Sequence, residues 1–403
     1  MDKPASYQKM KGPERVYALD SLRAIMMLLG LVIHASVTYG NMDYRGIWAL
    51  KDPNNSQVFD LIAAMIHSFR MPVFFVASGF FGALLFYKKG PQGMLINRIK
   101  RILLPFVVSV LLIYPLVVFG FEYSKAAFAG SETPIRKAIS PIIAGRFVQF
   151  RAAHLWFLYF LILYSFVAWL IALVFYKTTA LNRSIDNLFS SLLKSFWLSF
   201  ACMTAFLFVC LKLMHTYYLE TNTGWGINPA VFITYFGFYA AGWMVYRTDS
   251  LELLKRYSLW QLAAGLVLFL IFALIPWPGG RLALNIRQAF AAIYSILLIF
   301  GIIAVFLSRF DFYSKRLTYI MDASYWVYIV HLPIIAFIPG LMANISMPAL
   351  VKFLITLLGT ALICFASYKY LVRNSFIGAF LNGKTHKQRK EADAEKNVAL
   401  RAS

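Results

Sequence analysis

Charge is scarce in this chain: Asp, Glu, Lys and Arg together make up 14% of its 403 residues. A water-soluble domain carries about a quarter of its residues charged, so a sizeable soluble domain is excluded. Acidic residues are scarcest, 17 against 39 basic ones, for a formal net charge of +22. Cysteine is nearly absent, and Cys202, Cys210 and Cys364 all sit inside apolar runs. That excludes a disulfide framework and a thiolate metal site, and leaves them as small core residues. No His, Cys, Asp and Glu spacing of the kind that binds zinc is present either.

What is abundant is apolar surface, at 60% hydrophobic residues. Apolar runs of about 20 residues, the length that spans a bilayer, recur over residues 16–39, 58–87, 102–121, 155–176, 196–214, 229–246, 259–277, 286–307, 318–342 and 350–372. The expected fold is therefore an all-α polytopic membrane protein of about ten transmembrane helices. Asp20 and Arg23 interrupt the first run, which reads as a retained helix rather than a cleaved leader. Lys and Arg crowd the segments that face the cytoplasm when both termini lie there, as the positive-inside rule requires. This use of positive charge, with anionic lipid as its partner, replaces the nucleic-acid reading that such a charge would support in a soluble protein.

The expected organisation is a cytoplasmic segment over 1–15, a membrane domain over 16–372 and a basic cytoplasmic tail over 373–403 that is disordered. The loop between the third and fourth runs carries Arg136, Lys137, Arg146 and Arg151 among Ile142, Ile143, Phe147 and Phe150, a pattern expected to lie on the membrane surface. No inverted repeat is evident. A homo-oligomer is compatible with all of this.

An ionisable residue inside a bilayer costs several kcal/mol unless paired or hydrated, which makes each one a functional candidate. The first helix carries Asp20, Arg23 and His34 on one face, His34 lying about 20° round the axis from Arg23 and roughly 16 Å further along it. The second carries His67 and Arg70 one turn apart, followed by Pro72, which is expected to kink the helix. Next comes Asn97-Arg98-Ile99-Lys100-Arg101, where Arg98 and Arg101 offer guanidinium forks that fit the phosphates of a nucleotide-like donor. The cluster equally serves topology alone. His154 and Trp156 open the fourth helix, Asp322 and His331 lie in the ninth, and 220–228 forms an external polar patch.

Five of these segments, in this order, resemble the acyltransferase-3 family of membrane acyltransferases. They are Leu19-Asp20-Ser21-Leu22-Arg23 with His34, the run from Met71-Pro72 to Ser78-Gly79-Phe80, Arg98 and Arg101 with Pro105, His154-Leu155-Trp156, and Ser324-Tyr325-Trp326 through His331-Leu332-Pro333. The resemblance covers the chain up to the tail. It implies transfer of an acyl group from cytoplasmic acyl-CoA to a hydroxyl outside the bacterial inner membrane, without a metal. Phe69-Arg70-Met71-Pro72 and the first helix resemble the glucan-biosynthesis branch, which implies succinyl-CoA as donor and a periplasmic glucan as acceptor. Relatives that acetylate other envelope polysaccharides keep that alternative open.

In this reading His34 is the catalytic base or a transient acyl carrier, since imidazole titrates near neutrality. Asp20, Arg23 and His67 support it, and Arg98 and Arg101 hold the CoA phosphates. Arg70, His154, Trp156 and His331 meet the substrates, Arg70 pairing with a succinyl carboxylate or, alternatively, with Asp60 or with backbone carbonyls freed by Pro72. A permease or flippase would display many of the same polar intramembrane residues, and a structural partner of a glucan synthase is a third alternative.

Overall fold

The computed structural model describes residues 16–44, 46–147, 152–175, 178–256 and 259–383. The expectation of a disordered tail over 384–403, with His386, lies outside the described residues, as does Arg151. Among the described residues the regular structure is helical, without a β-strand.

In chain order the helices are α1 (Tyr17–Tyr39), α2 (Gln57–Arg98), a π-helical turn (Ile99–Leu103), α3 (Leu104–Leu112), α4 (Tyr114–Phe128) and α5 (Pro134–Ile143). A 3₁₀ turn (Ala153–Leu155) leads into α6 (Trp156–Val174), then α7 (Thr179–Lys194), α8 (Phe196–Met214), α9 (Pro229–Arg247) and α10 (Leu259–Leu274). The chain continues with α11 (Arg281–Arg309), α12 (Lys315–Leu341), α13 (Ala349–Ser367), a second π-helical turn (Tyr368–Val372) and α14 (Phe376–Asn382). Seven helical stretches among the described residues are long and apolar enough to cross a bilayer: Tyr17–Tyr39, Gln57–Leu112, Ala153–Val174, Phe196–Met214, Arg281–Arg309, Lys315–Leu341 and Ala349–Val372. The runs at 229–246 and 259–277 also fold as helices, α9 and α10, the latter only 16 residues long.

Three expectations change. The run at 102–121 is two helices, α3 and α4, parted at Ile113 just before Tyr114-Pro115, because proline supplies no N–H to the ladder. α2 runs on through Pro72 with helical backbone, and the non-helical residue inside that helix is Gly90 (φ 77°, ψ 168°), ahead of Pro91, at a conformation glycine adopts without a steric penalty. The start of the tail is helical, since Phe376-Ile377-Gly378-Ala379-Phe380-Leu381 is apolar enough for α14 to bury Leu381. The amphipathic segment of the long loop is α5, whose Ile135, Ile139 and Ile143 form an exposed stripe.

The chain divides into two compact units. The first comprises Met1–Met26, Ala64–Asn97 and Trp156–Lys315. Its α2 and α9 cross at bare backbone: a Cβ on Gly79 would lie 1.8 Å from the Tyr239 carbonyl oxygen, and one on Gly242 1.8 Å from that of Val76. Small residues at such crossings let helices approach where no hydrophobic force drives them together. Gly265 and Gly301 play the same part between α10 and α11.

The second unit comprises Met27–Ala63, Arg98–Leu155 and Arg316–Ser403. Within it the Ser124 hydroxyl of α4 donates to the Ala336 carbonyl of α12 and accepts the Gly340 N–H at 2.9 Å. The hydroxyl thus sits inside the backbone ladder of α12 beside Pro339, where the helix is already short of a donor.

Candidate active site

Three histidines from distant parts of the sequence meet in the second unit. His34 comes from the C-terminal half of α1, His154 from the 3₁₀ turn and His331 from the middle of α12. The His34 and His331 rings stack with centroids 5.4 Å apart and planes 28° apart, and His154 meets His331 edge-on, also at 5.4 Å. On His34 lies the indole of Trp48, 5.1 Å away and within 11° of parallel, its other contacts including an edge-on packing with Phe121 at 4.8 Å.

Backbone carbonyls set the tautomers. His331 Nδ1 lies 2.7 Å from the Tyr328 carbonyl and 3.1 Å from that of Val327. Both are acceptors, so Nδ1 carries the proton and, in the neutral ring, Nε2 carries the lone pair. His154 Nε2 lies 3.2 Å from the carbonyl of Ile329 and donates to it. That carbonyl is available because its helical donor would be residue 333, a proline without an N–H. The proline two places after His331 therefore orients a second histidine. The Nδ1 lone pair of His154 is left buried, without a hydrogen-bond partner among the described residues. Tyr328 adds a hydrogen bond of 2.6 Å from its hydroxyl to the His154 carbonyl.

The loop joining α1 to α2 is built against the same unit. Asp60 accepts the N–H groups of Asn41 and Met42, at 2.6 Å and 3.2 Å, and the Tyr44 hydroxyl at 3.2 Å, so its carboxylate serves this turn. Burial, with the Asp60 carboxylate beside it, pushes the Tyr44 phenol up. Among the described residues no group of three His, Cys, Asp or Glu side chains is placed to hold a metal ion.

Arg98 precedes the π-helical turn in this unit and Arg101 lies within it. The NH1 group of Arg101 donates to the Ala379 and Phe380 carbonyls of α14, at 2.9 Å and 2.7 Å, and its own carbonyl accepts the Tyr325 hydroxyl at 3.0 Å. The guanidinium thus caps the carbonyl end of α14, which the fixed charge favours.

The first unit holds the remaining candidates. Asp20 and Arg23 pair at 3.7 Å across one turn of α1, and the Arg23 guanidinium lies over the rings of Phe81 and Phe74, 5.1 and 5.7 Å from their centroids. His67 Nε2 bonds the Leu219 carbonyl, and Arg70, one turn on, reaches the Met71 sulfur at 3.5 Å. Tyr235 donates to the Glu220 carbonyl at 2.9 Å, and burial pushes the Glu220 carboxyl up. Trp156 is buried in an aromatic cluster with Phe160 and Tyr235, at 5.5 and 5.6 Å.

Sequence reasoning named all three clustered histidines, and Tyr328 only as part of the segment leading to His331, but not Trp48, Asp52 or Lys352. Trp48 stands in a loop with no periodicity to mark it. Lys352 did leave a signal, a lone cation in an apolar run, which is the mark by which Arg23 and Arg70 were found.

A family model described as an acyltransferase domain matches residues 16–369. The chain is similar to proteins named Glucans biosynthesis protein C. That of Escherichia coli O81 (strain ED1a) is 25% identical over 332 residues, covering 80% of this chain and 83% of its own length. That of Shigella dysenteriae serotype 1 (strain Sd197) is 24% identical over 331 residues with the same shares. A shorter match to that of Escherichia coli (strain SMS-3-5 / SECEC) is 37% identical over 97 residues, and there the chain spans 24% of the relative's length. No solved structure matches.

Proposed function

The chain belongs to the acyltransferase-3 family and is a multi-pass membrane protein, and from that premise we propose that it moves a succinyl group from cytoplasmic acyl-CoA to hydroxyls of a periplasmic glucan. The glucan acceptor follows the name of relatives aligned over 80% of the chain. In this reading the protein crosses the bacterial inner membrane about ten times, with both termini in the cytoplasm. The observation that carries it is the meeting of His34, His154 and His331 in one unit, at ring distances of 5.4 Å.

A glucose hydroxyl is a poor nucleophile until a base takes its proton as the new bond forms. His34 is that base. The hydroxyl oxygen attacks the thioester carbonyl, the carbon–sulfur bond breaks, and CoA leaves as a thiolate that takes up the proton from the imidazolium. His331 Nε2 and His154 Nδ1 bring lone pairs to the same cluster, which suits them to hold the acceptor hydroxyls. Arg98 and Arg101 hold the CoA phosphates through charge-assisted bonds. Arg70 meets the succinyl carboxylate, which a poorly hydrated site accepts only with a cation beside it, and Arg23 with Asp20 steadies the path of the donor.

Mass spectrometry of periplasmic glucans from cells with and without the protein tests the reading. Succinylated glucan is expected only when the protein is present. Identical glucans in both strains would overturn the acceptor, and an acetyl adduct would replace succinyl as the group carried.

A further inference from the structure

Lys352 lies in the first turn of α13 and is 1% exposed; Asp52, in the loop after α1, is 0% exposed. The ammonium has three protons and finds three acceptors: Asp52 Oδ1 at 3.1 Å, Asp52 Oδ2 at 3.0 Å and Asn54 Oδ1 at 3.1 Å. Asp52 also accepts the Asn54 N–H at 2.8 Å. A buried ion pair of this kind commonly loses in desolvation what it gains in attraction, and well-packed apolar residues are often as stable. Stability alone therefore gives no reason for it, and what it does fix is position.

The pair ties the loop to the end of α1. The Asp52 N–H donates to the Thr38 carbonyl at 3.0 Å and the Ser56 N–H to that of Tyr39 at 2.9 Å. The Tyr39 hydroxyl bonds Thr356 Oγ1 at 2.8 Å, one turn beyond Lys352 on the same face of α13. The same turn of α1 holds the indole: Thr38 Oγ1 accepts Trp48 Nε1–H at 2.9 Å, and Thr38 stands one turn after His34. Only three residues separate Trp48 from Asp52 in the chain, so anchoring Asp52 sets where Trp48 can lie.

We propose that Lys352 and Asp52 are positioning residues for acyl transfer, the buried pair holding Trp48 over the ring of His34. This rests on the assignment of His34 as the base. Trp48 covers one face of the imidazole, keeping water from it, and its π-face stabilises the imidazolium that forms as the hydroxyl proton is taken.

The test uses the full chain purified in detergent, with thermal melting as the check on folding. Lys352→Met alone leaves Asp52 buried and unpaired, so the informative variant is Lys352→Met with Asp52→Leu, which removes both charges. Two quantities are read: kcat and KM with succinyl-CoA and glucan, and the rate at which diethylpyrocarbonate modifies His34, followed by mass spectrometry of its peptide. A displacement of about 1 Å at a reacting group can cost about 10²-fold. A fall in kcat of that order is expected, with KM for succinyl-CoA held within about twofold and faster modification of His34. A folded double variant with wild-type kcat overturns the proposal, and so does a fall in kcat with unchanged modification, because the pair then acts on something other than the cover of His34. Should the double variant not fold, Thr38→Val, which removes the acceptor of the indole N–H together with the hydroxyl's 3.4 Å bond to the His34 carbonyl, decides by the same two readouts. Normal turnover by His34→Ala defeats the base assignment itself, whereas an inactive His34→Ala beside a fully active double variant defeats only the positioning role.

Discussion

A methyl group at Gly242 would sit 1.8 Å from the Val76 carbonyl oxygen, and one at Gly79 1.8 Å from that of Tyr239. Close carbon–oxygen contacts between helices settle at about 3.3–3.6 Å, so either alanine forces α2 and α9 apart locally by about 1.5 Å. Both obstacles are backbone, and no side chain can swing aside. Overpacking of this sort costs about 1–3 kcal/mol, occasionally more, and in a membrane protein the lost contact is itself the main force holding the helices together. For a chain of this size that translates into a melting point lower by about 1–4 °C. The assay is thermal unfolding of Gly79→Ala and Gly242→Ala in detergent, with Gly226→Ala as control, since a Cβ there meets nothing within 4 Å. A Gly242→Ala protein that melts with the Gly226→Ala control would refute the packing argument.

Arg98→Ala should raise KM for the acyl-CoA donor about tenfold, the loss of one charge-assisted phosphate contact, while Arg101→Ala should both weaken donor binding and loosen α14, whose carbonyls it caps; unchanged donor binding in the double variant would remove the dock. Arg70→Gln should lose succinyl transfer while keeping acetyl transfer, measured by competition of the two CoA esters, and an equal fall for both would reduce Arg70 to scaffold. Tyr328→Phe leaves the buried His154 carbonyl without its hydroxyl donor, at a cost of about 1–3 kcal/mol, which a melting curve will show.

Helix content was legible because apolar runs of spanning length leave little choice of structure. The run at 196–214 coincides with α8, and those at 16–39 and 350–372 differ from their helices by a residue or by a terminal turn. The break at Ile113 was harder to read, since a proline in an apolar run can kink, end or pass through a helix depending on what satisfies the freed carbonyl. Pro333 shows the point: its missing N–H frees the carbonyl that orients His154, a relation between residues 179 positions apart that no local pattern reports. His34, His154 and His331 were each visible as lone ionisable residues in apolar surroundings, but their meeting was not, because it depends on tertiary packing. Lys352 was equally visible and was passed over, lying near a helix end where a cation ordinarily snorkels to water; its burial against Asp52 is a tertiary fact.

The central claim is acyl transfer with His34 as base, and the most direct measurement is CoA release by purified wild-type and His34→Ala protein, from succinyl-CoA, with and without glucan. Wild-type protein is expected to release CoA only with glucan present and to leave the glucan succinylated, while a folded His34→Ala protein is slower by about 10²–10⁴-fold. Acceptor-dependent release at the wild-type rate by the His34→Ala protein, or passage of glucan through wild-type proteoliposomes with no CoA released, would contradict it.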